Sequence, residues 1–129
     1  VCDIPINFKE ILALVALMQA LVVRLINTDA QPDTHIQILQ SNKWQAARYG
    51  LDGVFVDSKT FQKLTIRQAI ENLFTFVEPV IDSLGSKKYI NILDKILSEG
   101  TGSTKQRKLY NSSKNFEYVL KTLKEKFYQ

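Results

Sequence analysis

Apolar side chains recur at the three- and four-residue spacing of an amphipathic helix through most of the chain. The longest run, Phe8–Ile26, is apolar on nearly every side, which predicts a helix buried on most of its faces, either inside this domain or against missing partner surface. Polar and glycine-containing stretches separate this run from the later ones. The pattern predicts helices at about residues 8–26, 34–49, 66–84, 88–99 and 115–127, with one or two further turns between 104 and 111.

Side chains at the predicted helix starts are of the kinds that accept hydrogen bonds from free backbone N–H groups. Asn7 with Glu10, and Thr65 with Gln68, have the three-residue spacing of a capping box. Thr34 is the predicted cap of the second helix. Glycine commonly follows the last turn of a helix, and the predicted helix ends are Gly50, Gly85 and Gly100.

The helical period breaks between Leu51 and Leu64. Val54–Val56 favours a strand and Asp57–Lys59 favours a turn, so a small β-hairpin is expected there. The predicted fold class is therefore an all-α helical domain with one short β-hairpin.

The length and the rare residue types limit what kind of protein this is. A chain of 129 residues fits one helical domain, residues 1–129, with residues 1–6 as the end of a strand that turns at Pro5. Cys2 is the only cysteine, which excludes an internal disulfide and favours a reducing cytoplasm. His35 is the only histidine, and no metal site is predicted.

The charge pattern argues against a nucleic-acid partner, and the length of the apolar run argues against a membrane. The net charge of +4 comes from Lys and Arg residues spread along the chain, without zinc-finger spacing or aromatic–basic interleaving, so no nucleic-acid partner is predicted. The apolar run Ile11–Ile26 is shorter than the about 20 residues of a membrane span and contains Gln19 and Arg24. No membrane anchor is predicted either.

The first segment with candidate chemistry is Asn42–Gly53, which gathers polar and aromatic residues at a predicted helix end. Trp44 and Arg48 are one helical turn apart, which makes a contact between guanidinium and indole available. Lys43 and Arg48 are candidates for binding anionic oxygens, with Arg48 able to donate two parallel hydrogen bonds. The alternative is that these cations only complement the negative end of the helix dipole.

The second segment is Gly100–Lys108, a glycine-rich turn before a basic helix start. Free N–H groups at such a start can bind anions, although the spacing is not that of a P-loop. The alternative is a purely structural role, in which Gly100 ends one helix and Ser103 or Thr104 caps the next.

Three segments, in the correct order along nearly the whole chain, resemble one family. Val1–Pro5 followed by Ala13–Val22 resembles the strand end and buried helix of the glutamate–cysteine ligase type 2, or carboxylate–amine ligase, family. Asn42–Gly53 is similar to that family's Asn-Lys/Arg-Trp-x-Ala-Ala-Arg-Tyr-Gly-Leu-Asp segment. Gly100–Arg107 is similar to its Gly-Thr-Gly-Ala-Asp-x-Gln-Arg segment, except that Ser103-Thr104 replaces Ala-Asp, so no carboxylate role is expected there.

The resemblance implies that this chain is the C-terminal part of an α+β ligase with a glutamine-synthetase-like catalytic sheet. It implies a parent enzyme that uses ATP and magnesium to convert a carboxylate into an acyl phosphate, which an amine attacks to form an amide. The family's metal-ligating Glu and substrate-binding Arg would lie just before Val1. The chain alone is therefore expected to be inactive and to bind neither ATP nor magnesium. The implied substrate- and ATP-binding candidates are Asn42, Lys43, Arg48, Tyr49, Thr101, Lys105 and Arg107.

The partner implied by the resemblance is the N-terminal catalytic sheet of the same ligase. Without that sheet, helix 8–26 is expected to expose apolar surface and to self-associate. The side chains expected on that surface are Ala13, Leu14, Leu17, Leu21 and Val22. The alternative for the whole chain is a free-standing helical protein-interaction module that binds another protein through this helix.

Overall fold

A computed structural model describes residues 5, 7–28 and 34–127. These residues form six α-helices, a 3-10 turn and a two-stranded antiparallel hairpin, which confirms the mostly helical fold with a short hairpin. The strand end predicted for residues 1–6 lies outside the described residues apart from Pro5. The elements are α1 (Phe8–Ile26), α2 (Ile36–Tyr49), the 3-10 turn (Gly50–Asp52), β1 (Val54–Val56), β2 (Lys63–Thr65), α3 (Ile66–Ile81), α4 (Lys87–Glu99), α5 (Gly102–Ser113) and α6 (Phe116–Lys126).

The described residues divide into two compact units. Unit 1 takes its residues from Val1–Ala20 and Ile81–Gln129, and unit 2 takes its residues from Leu21–Val80. Each candidate segment therefore lies within one unit, Asn42–Gly53 in unit 2 and Gly100–Lys108 in unit 1. The single helical domain predicted for the whole chain stays a prediction.

The β-hairpin of unit 2 leads directly into α3. Val54 pairs with Thr65 and Val56 with Lys63. The N–H of Gln68 donates to Thr65 Oγ1 at 3.2 Å, and the N–H of Thr65 donates to Gln68 Oε1 at 2.9 Å. These reciprocal bonds confirm the capping box predicted at this position.

The loop of the hairpin is closed by Asp57. Its Oδ1 accepts hydrogen bonds from the N–H groups of Lys59 and Thr60 and from the Thr60 hydroxyl. These donors, led by the Thr60 N–H, lower the pKa of the Asp57 carboxyl below its usual value of 3.8. The loop holds Phe61 in the left-handed region at φ 57° and leaves this residue 68% exposed.

Glycine closes the end of α3. The N–H of Ser86 donates to Ile81 O and the N–H of Gly85 donates to Asp82 O, each at 3.1 Å. With Gly85 at φ 61°, this is the Schellman arrangement, which confirms Gly85 as the residue that ends the helix. The regular α-helix ends at Ile81 and not at Leu84, because residues 82–85 form the closing turn.

The start of α5 differs from the prediction. The N-cap position is Thr101 instead of Ser103 or Thr104, and α5 is a full helix of 12 residues. Gly100 explains the earlier start, because its φ of 96° reverses the chain directly after α4 and allows helical geometry to begin at Gly102.

Among the other helix starts, α1 and α6 have a side-chain cap, whereas α2 and α4 have none. Asn7 Oδ1 accepts from the N–H of Lys9 at 2.8 Å, which confirms Asn7 as the cap of α1. Asn115 caps α6 in the same way. The prediction of Thr34 as the cap of α2 is wrong, because His35 occupies the N-cap position and makes no side-chain capping bond.

Helix α1 is buried on one face only. Ala13 and Ala20 are fully buried, because alanine lets neighbouring backbone approach closely, whereas Val15 and Met18 are 56% and 51% exposed. The prediction that Ala13 belongs to an exposed surface is therefore wrong, while Val22 is exposed as expected. In the described part of the chain, no helix has the length and apolar character needed to cross a membrane.

Candidate functional site

Asn42 anchors the hairpin to α2. Its Nδ2 donates to Val56 O and its Oδ1 accepts from the Val56 N–H, both at 2.9 Å. The carboxamide thus pairs with the edge of β1 as another strand would. Gln45, one turn later, accepts from the Val54 N–H through Oε1 at 3.3 Å. Asn42, predicted to bind substrate or ATP, therefore has a contact that positions the hairpin.

The junction after α2 is tight. The N–H of Gly50 donates to Ala46 O and ends the helix, as predicted. A Cβ at Gly53 would lie 2.7 Å from Ile66 Cδ1 and 2.9 Å from Gln45 O, so only glycine fits where the chain leaves the 3-10 turn. The sequence Gly50–Gly53 therefore fixes the end of α2 against the start of the hairpin.

Two cations on α2 point to solvent. Lys43 and Arg48 are exposed, and neither side chain has a hydrogen-bond or ion-pair partner among the described residues. The predicted contact between Arg48 and Trp44 is not formed there. The Trp44 ring instead meets the Tyr49 ring edge-on, with centroids 5.6 Å apart, and the two residues are 56% and 50% exposed. This segment presents two uncompensated positive charges beside an aromatic pair.

The Gly100–Lys108 segment of unit 1 begins with a cluster of hydroxyl groups. Thr101 Oγ1 lies 3.0 Å from Ser103 Oγ and 3.3 Å from Thr104 Oγ1. The Thr101 side chain makes no capping bond to the first turn of α5. The backbone oxygen of Thr101 accepts from the Lys105 N–H at 3.0 Å, which is the first hydrogen bond of the helix.

Lys105 is paired with two carboxylates. Its Nζ lies 3.0 Å from Glu10 Oε1 on α1 and 3.3 Å from Glu99 Oε2 on α4. Burial lowers the pKa of the Lys105 ammonium, but the hydrogen bonds and charges of Glu10 and Glu99 outweigh it and raise the pKa above its usual 10.5. The charge predicted to bind an anion is therefore compensated inside the protein.

Arg107 differs from Lys105, because it is exposed and has no partner in the part of the chain that the structure describes. Sequence reasoning missed Glu10 and Glu99 as determinants of this segment. The spacing of Glu10 from Asn7 had suggested a local capping role, and no sequence signal relates it to a residue on α5. No group of three or more His, Cys, Asp or Glu side chains able to hold a metal occurs among the described residues.

The sequence matches the family model described as glutamate–cysteine ligase family 2 over residues 1–125. The chain therefore belongs to this ligase family, which confirms the resemblance carried by its three segments.

Similar proteins support the same family. One from Solibacter usitatus, named "Putative glutamate–cysteine ligase 2", is 33% identical over 124 residues, covering 93% of this chain and 32% of that protein. Proteins of the same name from Gloeobacter violaceus and Chloroflexus aurantiacus are 34% and 31% identical over 127 residues. Those matches cover 95% of this chain and 34% and 33% of the two proteins. The chain spans about a third of the length of the curated relatives it matches.

Proposed function

We propose that this chain is the C-terminal part of an ATP-dependent carboxylate–amine ligase of the glutamate–cysteine type, and that it is not catalytically complete alone. In the whole protein, a carboxylate would take the γ-phosphoryl group of ATP with release of ADP, and an amine would then displace phosphate from the resulting acyl phosphate to form an amide. Magnesium would supply charge stabilisation at the phosphates. Family membership over residues 1–125 supports the ligase, and the one-third coverage of the relatives supports a longer parent protein.

The observation that carries the proposal is the family match over residues 1–125, and a set of cations without partners in the candidate segments supports it. Lys43, Arg48 and Arg107 are exposed, and the part of the chain that the structure describes provides no partner for their side chains. Guanidinium and ammonium groups aimed at phosphoryl or carboxylate oxygens stabilise the charge that develops during such reactions. The chain therefore supplies anion-binding groups to the parent enzyme.

The metal-binding half of the site is assigned to the rest of the parent enzyme. Magnesium prefers carboxylate oxygens, and the described residues hold no cluster of acidic side chains able to bind a metal. Magnesium and ATP would then be held by the N-terminal catalytic sheet, which is also the partner we propose for this chain. We also propose a cytoplasmic location, which the single cysteine predicts.

The candidate residues divide by their present contacts. Arg48 is the strongest anion-binding candidate, because a guanidinium fork is free to bind two oxygens. Tyr49 is exposed and supplies a hydroxyl group for the same purpose, whereas the Thr101 hydroxyl already lies within hydrogen-bond distance of Ser103 and Thr104. Lys105 and Asn42 are better suited to hold the candidate segments in place, because each already has internal partners.

A second candidate function is a helical protein-interaction module. The exposed side chains of Val15, Met18 and Val22 on α1 favour it, because successive turns of one helix present apolar surface to solvent. In this alternative the helix binds another protein. Self-association through the same helix is what we propose for the ligase fragment alone.

A comparison of the chain alone with the full-length parent tests the ligase proposal. We expect full-length protein to release ADP from ATP and Mg²⁺ only when glutamate and an amine-bearing amino acid such as cysteine are both present. The chain alone should show no ADP release and no micromolar ATP–Mg²⁺ binding by calorimetry. Tight magnesium-dependent ATP binding by the chain alone, or a full-length protein without ADP release for any amino-acid pair, would contradict the proposal.

A further inference from the structure

The first turn of α1 is joined to the end of α6. Asn7 Nδ2 donates to Lys126 O at 3.1 Å, and the backbone N–H of Phe8 donates to Phe127 O at 2.8 Å. The same Asn7 side chain caps its own helix, because its Oδ1 accepts from the Lys9 N–H at 2.8 Å. Asn7 therefore uses the two ends of one amide for two different helices.

Helix ends explain why this junction forms. The first N–H groups of a helix and its last C=O groups have no partners inside the helix. Here the N–H of Phe8 donates to Phe127 O, and the Asn7 side chain donates to Lys126 O, so these groups find partners across the two helices. The positive end of the α1 dipole also meets the negative end of the α6 dipole, which favours the same arrangement.

The position of Asn7 relates this junction to the catalytic part of the ligase. Asn7 comes two residues after Pro5, where the chain enters α1, and the proposed function assigns the catalytic sheet to the part of the ligase that precedes this point. A junction that fixes the first turn of α1 fixes the point at which the chain enters this helix. Small displacements of reacting groups lower the reaction rate. Loss of the junction would therefore lower the rate of the ligase if it displaces these groups.

We propose that Asn7 is a positioning residue of the ligase, which acts by fastening the start of α1 to the end of α6. The proposal rests on the proposed function. An amide is required because only one end of it accepts from Lys9 while the other donates to Lys126. A carboxylate would keep the cap and lose the side-chain bond to Lys126 O, while the backbone bond from Phe8 to Phe127 O remains. Asn7→Asp therefore separates the part of the Asn7 side chain in the junction from its role as a helix cap.

The experiment uses full-length ligase with ATP, Mg²⁺, glutamate and a mixture of amino acids as probes, and measures ADP release. We expect Asn7→Asp to lower kcat about tenfold while KM for ATP stays within about twofold, because reacting groups are misplaced and ATP contacts are kept. Asn91→Asp is the matched control, since Asn91 is exposed on α4 and the described residues give its side chain no partner. Asn7→Ser keeps a capping oxygen but lacks the reach to Lys126, so it should lower kcat similarly and replaces the Asp variant if that one does not fold.

A deletion of residues 126–129 completes the test. It removes the carbonyl acceptors, so it should lower kcat as Asn7→Asp does, and Asn7→Asp should add nothing in the shortened protein. Wild-type kcat in Asn7→Asp, an equal loss in Asn91→Asp, or fully additive losses with the deletion would overturn the positioning role while leaving the ligase proposal intact. A wild-type protein without ADP release would overturn the proposed function and the positioning role with it.

Discussion

Lys105 on α5 and Glu10 on α1 form an ion pair of 3.0 Å between Nζ and Oε1, although they are 95 residues apart in the sequence. Glu10 is 8% exposed, and Glu99 at the end of α4 completes the cluster. Three helices of unit 1 therefore meet at one ammonium group. The contact holds the start of α5, where Thr101 and the free N–H groups of the candidate segment lie.

Replacement of Lys105 should destabilise the protein more than its surface position suggests. Lys105→Met keeps the length of the side chain but leaves the carboxylate of Glu10 buried without a cation. We expect a loss of about 2 kcal/mol in the free energy of unfolding, measured by urea denaturation. Lys108→Met is the matched control, because Lys108 is exposed without a partner among the described residues, and it should change stability little. Equal losses in the two variants would show that the ion pair contributes nothing.

The same ion pair predicts a dependence on alkaline pH. The pKa of Lys105 is raised in the folded protein, so its stabilising contribution is complete below the unfolded value of 10.5 and is lost as the pH rises through the folded value. The difference in unfolding free energy between wild type and Lys105→Met should be constant from about pH 7 to 10 and shrink above that range. A difference that already shrinks near neutral pH would contradict this assignment.

Gly53 should resist replacement for a steric reason. A Cβ there would meet the backbone oxygen of Gln45 at 2.9 Å, which cannot move without displacing α2. We expect Gly53→Ala to cost about 1–3 kcal/mol in urea denaturation, as overpacking does elsewhere. Gly85→Ala is the comparison, because a Cβ there meets nothing within 4 Å and only its φ of 61° is unfavourable. It should cost about 1 kcal/mol, and a smaller loss for Gly53→Ala than for Gly85→Ala would refute the steric argument.

The contrast between Asn7 and Glu10 shows how far sequence reasoning reaches. Asn7 was predicted as a cap because the signal lies within one turn, and the same holds for Thr65 with Gln68. Glu10 had the right spacing for a capping box, yet its carboxylate receives Lys105 from another helix. Asn42 likewise pairs with Val56, which depends on how the hairpin docks on α2. The caps at Asn7 and Thr65 follow from local spacing, whereas these longer contacts depend on packing that one sequence does not encode as a pattern.

Self-association of the chain alone should depend on the exposed face of α1. We expect sedimentation velocity to show a concentration-dependent increase in size for the wild type, because Val15 and Met18 are more than half exposed. Met18→Lys should raise the dissociation constant about tenfold or more. Gln19→Lys, at an exposed polar position on the same helix, is the control and should associate as the wild type does. A wild-type chain that stays monomeric at high concentration would exclude this interface.

Arg48 should matter for turnover and not for folding. Its guanidinium is exposed and has no partner among the described residues, so we expect Arg48→Lys to leave the melting temperature of the full-length ligase nearly unchanged. Lysine keeps the charge but loses the two-pronged fork, and kcat/KM should fall about tenfold, roughly 1.4 kcal/mol. Arg24→Lys is the opposite control, because Arg24 Nε donates to Phe76 O at 2.9 Å and its guanidinium lies 5.2 Å from the Phe76 ring centroid. That change should lower the melting temperature and leave turnover per folded molecule intact. If Arg48→Lys behaves like Arg24→Lys, then Arg48 is a structural residue and does not bind the anionic substrate.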